Sequence, residues 1–123
     1  MPKNKKEKLS YQIIGYLYQV YNALGYGYQE KYYQRAFELL LIKEKIFFKR
    51  ELKVPINFEG KTIGRYFIDF VIEDKIAVEL KVSNNIYQVH MQQVLGYIKS
   101  AQLKLGLLAL FTNKGIKIKR YIN

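Results

Sequence analysis

The chain has 123 residues, half of them hydrophobic, with twelve Tyr, seven Phe and no Cys. That length suits one domain, the aromatic content excludes a largely disordered chain, and the missing cysteines exclude disulfides and thiolate metal sites. Twenty-one Lys and Arg against ten Asp and Glu leave a formal charge of +11, which points to a polyanion such as nucleic acid ahead of mere solubility, with an anionic membrane surface a weaker option.

The first eight residues, Met1–Lys8, are basic and read as a flexible N-terminus. The segment after Lys8 is amphipathic and Tyr-rich, unlike the apolar core of a signal peptide. No stretch reaches the roughly 18 apolar residues of a membrane helix. The expectation is a cytoplasmic protein with a single domain over residues 9–123. Leu9, Ile13, Leu17, Val20 and Leu24 recur at helical spacing and predict a helix over 8–24. Gly25 and Gly27 then interrupt, so "LGYGYQE" reads as a helix end, a turn and a new start. The second helix is predicted from Gln29 to Lys45, with Glu30, Tyr33 and Phe37 along one side.

Three strands are predicted next. The first spans Phe47–Phe58, where Pro55 marks an edge or a bulge. After the turn Glu59-Gly60-Lys61 come Thr62–Ile72 and Ile76–Val82. Ser83-Asn84-Asn85 is a loop placed to cap a helix over Ile86–Gln102, whose His90, Gln93 and Tyr97 share a face. "KLGLLALFT" reads as a buried strand, Asn113-Lys114-Gly115 as a hairpin turn and "IKIKRYI" as an alternating, half-exposed strand. Two helices, three strands, a helix and two strands predict an α/β fold, a central mixed sheet flanked by helices on both faces. Such cover accounts for strands that are apolar on both sides.

Against that pattern, Asp69, Glu79 and Lys81 stand inside apolar runs. Glu79 and Lys81 alternate with Leu80 and share one face of their strand. If Glu73-Asp74-Lys75 forms a three-residue turn, Ile72 pairs with Ile76 and Asp69 lies opposite Glu79, their Cβ atoms ~4.5–5.5 Å apart. A two-residue turn instead opposes Asp69 to Leu80 and sends Glu79 to the other face. Facing carboxylates repel and lose hydration. Lys81, a proton, solvent exposure or a divalent cation would each offset that cost, and hard oxygen ligands suit Mg²⁺ or Mn²⁺. The plain alternative is a partly exposed ion cluster capped by Lys81.

Asp69, nine residues, Glu79, one residue, Lys81 resembles the PD-(D/E)XK nuclease signature, with Ile68 where its Pro stands. Gly27, Glu30 and Tyr33 in "GYQEKYY" resemble the GxxExxY family of that superfamily. Gln93 and Tyr97 in "HMQQVLGY" are similar to the Gln-x-x-x-Tyr motif that comes after the catalytic strands in related nucleases. The resemblance spans about residues 10 to 122. It implies a restriction-endonuclease-like core and Mg²⁺- or Mn²⁺-dependent cleavage of phosphodiester bonds in nucleic acid, with DNA ahead of RNA. Small nucleases of this fold often pair to cut two strands, so a homodimer is part of the expectation. Carried over, Asp69 and Glu79 hold the metal with the Leu80 backbone carbonyl, and Glu30 is a further ligand from its helix. Lys81 orients the attacking water or stabilises phosphate charge, and Gln93 positions Lys81 or a phosphate.

Other readings stand beside these. Glu30 also suits the positive end of a helix dipole. His90 is a general base or substrate contact on one reading and a surface or packing residue on another. Lys114, Lys117, Lys119 and Arg120 form a phosphate track or a lysine-protected edge strand. For the whole chain, the alternatives are a non-catalytic nucleic-acid-binding module on a nuclease-like scaffold and a protein-interaction domain.

Overall fold

The computed structural model describes residues 5–123, with side chains from Lys8 onward. Helices α1 (Lys5–Leu24) and α2 (Glu30–Lys43) precede strands β1 (Phe48–Phe58), β2 (Lys61–Ile72) and β3 (Ile76–Val82). Helix α3 (Gln88–Ser100) leads to β4 (Leu105–Thr112) and β5 (Gly115–Ile122). Helix α1 begins three residues before its predicted start, at Lys5, and the rest of the expected loose N-terminus, residues 1–4, lies outside the described residues.

The five strands form one sheet in chain order. β3 and β4 run parallel and the other neighbours antiparallel. The parallel pair is joined through α3, as a parallel connection requires a crossover. Helices α1 and α2 supply Ile13, Leu17, Tyr33, Phe37 and Leu41 to a core on one face of the sheet. On the other face, Val94, Tyr97 and Ile98 of α3 pack against Ala77, Leu108 and Leu110. Cover on both faces explains why every residue of β4 is buried, as its unbroken apolar run suggests.

Aromatic contacts tie helices to sheet. Tyr33 stacks on Phe111 with ring centroids 4.4 Å apart, and Phe37 meets Phe70 edge-on at 4.9 Å. Gly106 of β4 sits beneath α3, where an added Cβ would lie 2.5 Å from Val94 Cγ1 and 3.1 Å from Ile98 Cγ2. Overpacking of this kind costs about 1–3 kcal/mol. Gly106→Ala is therefore expected to lower the unfolding free energy by that amount, read from urea melts.

Turns and helix starts show where local patterns were misleading. The β1–β2 turn is two residues, Glu59 and Gly60, with φ of 49° and 78°. This matches the positive φ values that tight hairpins favour. At α3, Ser83, Asn84 and Asn85 do not cap the helix; its N-cap is Tyr87, without a side-chain cap bond. The polar loop residues are engaged elsewhere: Ser83 Oγ donates to the Asn85 carbonyl at 2.7 Å, and Asn84 Oδ1 accepts the Asn113 N–H at 2.9 Å. Pro55 lies on β1, an edge strand, next to a register shift at Ile56/Asn57.

Candidate active site

The register that matters is β2 against β3. Ile72 pairs with Ile76, Val71 with Ala77 and Phe70 with Val78, so the turn has three residues, Glu73-Asp74-Lys75. Glu73 and Asp74 both adopt φ of 54°, and the Lys75 N–H closes the turn on the Ile72 carbonyl at 2.9 Å. Pairing stops one step short of Asp69 and Glu79. There the strands exchange side chains instead. The Asp69 N–H donates to Glu79 Oε1 at 2.9 Å, and the Leu80 N–H donates to Asp69 Oδ2 at 2.8 Å. The N–H and carbonyl of one residue in an extended strand point to the same side, so the Leu80 carbonyl also faces this gap.

A second irregularity sits at the same level. Phe70 and Ile72 pack into the α1/α2 core, whereas Tyr66 and Ile68, of the same parity, pack toward α3. A regular strand keeps one parity on one face. The β1–β2 ribbon therefore turns over at Asp69, where pairing skips Asp69 and Glu51, and Glu51 adopts φ of 54°. Asp69 ends up where two faces meet.

Around the acidic pair, Lys81 Nζ lies 3.5 Å from Glu79 Oε2 and 3.8 Å from Glu30 Oε2. Glu30, the first residue of α2, also accepts the Val82 N–H at 3.3 Å. It thus serves both readings, a charge at a helix start and a member of the cluster. The glycine turn before it is locked by Tyr33, whose buried hydroxyl donates to the Gly25 carbonyl at 2.5 Å and accepts the Tyr28 N–H at 3.4 Å. Tyr33→Phe is expected to cost about 1 kcal/mol of stability by leaving that carbonyl unpaired, measured by urea melts.

Electrostatics are set by burial. Glu79 is 3% exposed; burial first, and the Asp69 charge second, push its pKa up to about 8. Burial also raises Asp69, outweighing the Leu80 N–H and Lys81, which favour its charged form. For Lys81, burial alone would lower the pKa, but Glu79, Glu30 and Asp69 together raise it. His90 is lowered by burial and by Lys81, against the pull of Glu30. Its Nδ1 is buried without a hydrogen-bond partner among the described residues, and its ring meets Tyr87 edge-on at 5.5 Å. His90 therefore stands within electrostatic reach of the cluster.

Gln93, expected to position Lys81 or a phosphate, makes a contact to β2. Its amide donates to the Phe67 carbonyl, two residues before Asp69, rather than to Lys81. It ties α3 to β2 beside the site. Tyr97 is buried in the α3 core as packing. Sequence periodicity missed Phe67 and Lys53, which line a cleft of about 340 Å³ with Glu51, Leu52, Ile68 and Asp69. The available signal was Phe67 at i−2 from Asp69 on a strand edge.

The donor set is hard oxygen, which fits Mg²⁺ or Mn²⁺. Each carboxylate commits one oxygen to a backbone amide, and the second Glu79 oxygen faces Lys81. Among the described residues, no three His, Cys, Asp or Glu side chains are grouped as a ready metal cage. Asp69, Glu79 and the Leu80 carbonyl are the groups that converge, with Glu30 reaching the cluster through Lys81.

A mixed sheet between helical layers, with two strands parting around an acidic pair and a lysine beside it, is a nuclease-like α/β frame. The chain belongs to the PD-(D/E)XK nuclease superfamily, which it matches over residues 7–121. Among solved structures it is similar to SSO0001, with 21% identity and a TM-score of 0.57, over 73% of this chain and 48% of that one. The chain thus spans about half the length of SSO0001. It is also similar to an alkaline exonuclease, LHK-Exo, from Laribacter hongkongensis, with 10% identity and a TM-score of 0.55, over 100% of this chain and 72% of that one. At these identities the likeness is one of fold. No curated protein matches the chain. No helix of the described residues is long and apolar enough to cross a membrane.

Proposed function

We propose that this chain is a Mg²⁺- or Mn²⁺-dependent nuclease that hydrolyses phosphodiester bonds of DNA, of the GxxExxY kind within its superfamily. The observation that carries the reading is the parted end of β2 and β3, where Asp69 and Glu79 meet beside Lys81. A divalent cation bound there would activate water and offset phosphoryl charge. Asp69, Glu79 and the Leu80 carbonyl would hold it, with Glu30 completing the set directly or through water. Lys81, held near its two carboxylate partners, would orient the attacking water or meet a phosphate oxygen. Gln93 supports this arrangement from behind by fixing the Phe67 end of β2.

The basic surface suits the same reading. Lys81, Leu110 and Lys117 lie in one row across the sheet, as do Glu79, Leu108 and Lys119. Paired residues share a face, so the exposed Lys117 and Lys119 stand on the site's side of the sheet and would hold phosphates by salt-sensitive attraction.

One observation favours a non-catalytic module: both carboxylates fasten the two strands through backbone amides. Neutral Asn and Gln would do so without burying charge, and negative charge near phosphate gives a pure binder nothing. Incubating plasmid, single-stranded and branched DNA with Mg²⁺ or Mn²⁺ tests the proposal, with Asp69→Ala and Lys81→Ala as controls. Metal-dependent cleavage that survives both changes would overturn the site. Salt-sensitive DNA binding with no Mn²⁺ heat in calorimetry would favour the module.

A further inference from the structure

The part of β2 from Lys61 to Ile68 pairs with β1 and not with β3, so the outer part of the first hairpin is a two-stranded ribbon. One face of it is covered. Leu52, Val54 and Tyr66 pack toward α3, and the Tyr66 ring lies directly over Gly96. The other face carries Lys53 opposite Phe67 and Pro55 opposite Arg65, all four exposed. Opposed Cβ atoms lie ~4.5–5.5 Å apart, so an aromatic ring and a cation stand side by side there. Phe67 is 55% exposed. It also lines the cleft that Asp69 borders, and Gln93 fixes its backbone.

We propose that this face binds an unpaired nucleic-acid strand, with Phe67 stacking on a base and Lys53 and Arg65 meeting the flanking phosphates, and leads that strand to Asp69. The inference deepens the nuclease reading and rests on it for the direction of the strand. A phenyl ring needs a bare base face, which a duplex hides and an unpaired strand offers. The cations beside it match a phosphate backbone. They argue against a second copy of the chain on this face, because like charges would be brought together.

The test measures binding of a fluorescent oligothymidine and of a hairpin duplex of equal charge by anisotropy, in EDTA so that nothing is cut. Phe67→Ala is expected to lower the ratio of single-strand to duplex affinity ~10–100-fold, the usual range for losing one stacked base. Phe67→Trp should restore it. Lys53→Ser should flatten the log–log salt dependence of single-strand binding by about 0.7. Circular dichroism melts check that the variants remain folded, as expected for changes at exposed positions. Equal weakening of both ligands, or of neither, overturns the inference. So does sedimentation showing that Phe67→Ala dissolves a dimer while strand binding is unaltered, which would assign the face to a second copy. Metal-dependent cleavage by the wild-type chain judges the nuclease reading separately, since the binding assay contains no metal.

Discussion

Asp69→Asn is expected to reduce cleavage about 10³-fold while leaving the metal-free protein as stable as wild type or more so. The two effects have one cause. Asp69 sits in a half-buried gap against Glu79, and burial raises the pKa of both. Replacing a carboxylate by an amide removes that repulsion and keeps an oxygen for the Leu80 N–H. It also removes a negative ligand from the site where a cation would sit. Losing a single preorganised group that stabilises developing charge typically costs about 10²–10³ in rate, and loss of a metal ligand belongs at the upper end. Lys81→Met should fall in the same range with little change in KM, because its cation would act on the reacting phosphate rather than on distant backbone. Single-turnover rates paired with melting temperatures check both. A variant that loses stability and activity together would mark Asp69 as a structural fastener.

The second large effect concerns pH. Glu79 has its pKa raised from 4.5 in the free side chain to about 8 in the fold. An acid with a raised folded pKa binds its proton more tightly when folded. Its stabilisation is complete below the unfolded pKa and is lost as pH rises toward the folded one. The metal-free protein should therefore lose stability between pH 4.5 and about 8, by on the order of a few kcal/mol across the window. Asp69 is shifted in the same direction and adds to the slope. His90 is shifted down, so its contribution is lost as pH falls below its ordinary range, and opposes the slope only at the acid end. The region from about pH 6.5 to 8 lies above the range where His90 opposes the slope. Melting temperatures there should fall with pH for wild type, and the fall should be shallower for Glu79→Gln.

A bound cation inverts that behaviour. Metal binding requires the ionised carboxylates and releases a proton, so Mn²⁺ affinity should rise about tenfold per pH unit up to pH 8. Calorimetry in buffers of different ionisation enthalpy would count the proton. An affinity that is level across this range would show that Glu79 is not a ligand.

Much of the architecture was legible from local patterns. The apolar spacings of α1 and α2, the unbroken run of β4 and the alternation of β5 each report a neighbour on one side or both, so they yield element type, order and cover. The turn length between β2 and β3 was left open by the same alternation, and the pairing of Ile72 with Ile76 selects the three-residue turn Glu73-Asp74-Lys75. The elements at the ends were less legible. Tyr87, not the Ser83-Asn84-Asn85 loop, starts α3, because those polar side chains bond within the loop and across to Asn113.

The acidic pair and its spacing to Lys81 were determined by the sequence alone, and so were the +11 charge and the glycine turn ahead of Glu30. Tertiary structure decided how those residues are used. It ends the β2–β3 ladder at Phe70 and Val78 and turns the β1–β2 ribbon over at Asp69. It sends Gln93 to the Phe67 carbonyl and leaves Phe67 uncovered beside the cleft. Alternation along a strand records which face a residue prefers under regular geometry. Where a strand turns over and exchanges backbone partners for carboxylates, that preference depends on groups far away in the chain, and local spacing no longer reports it.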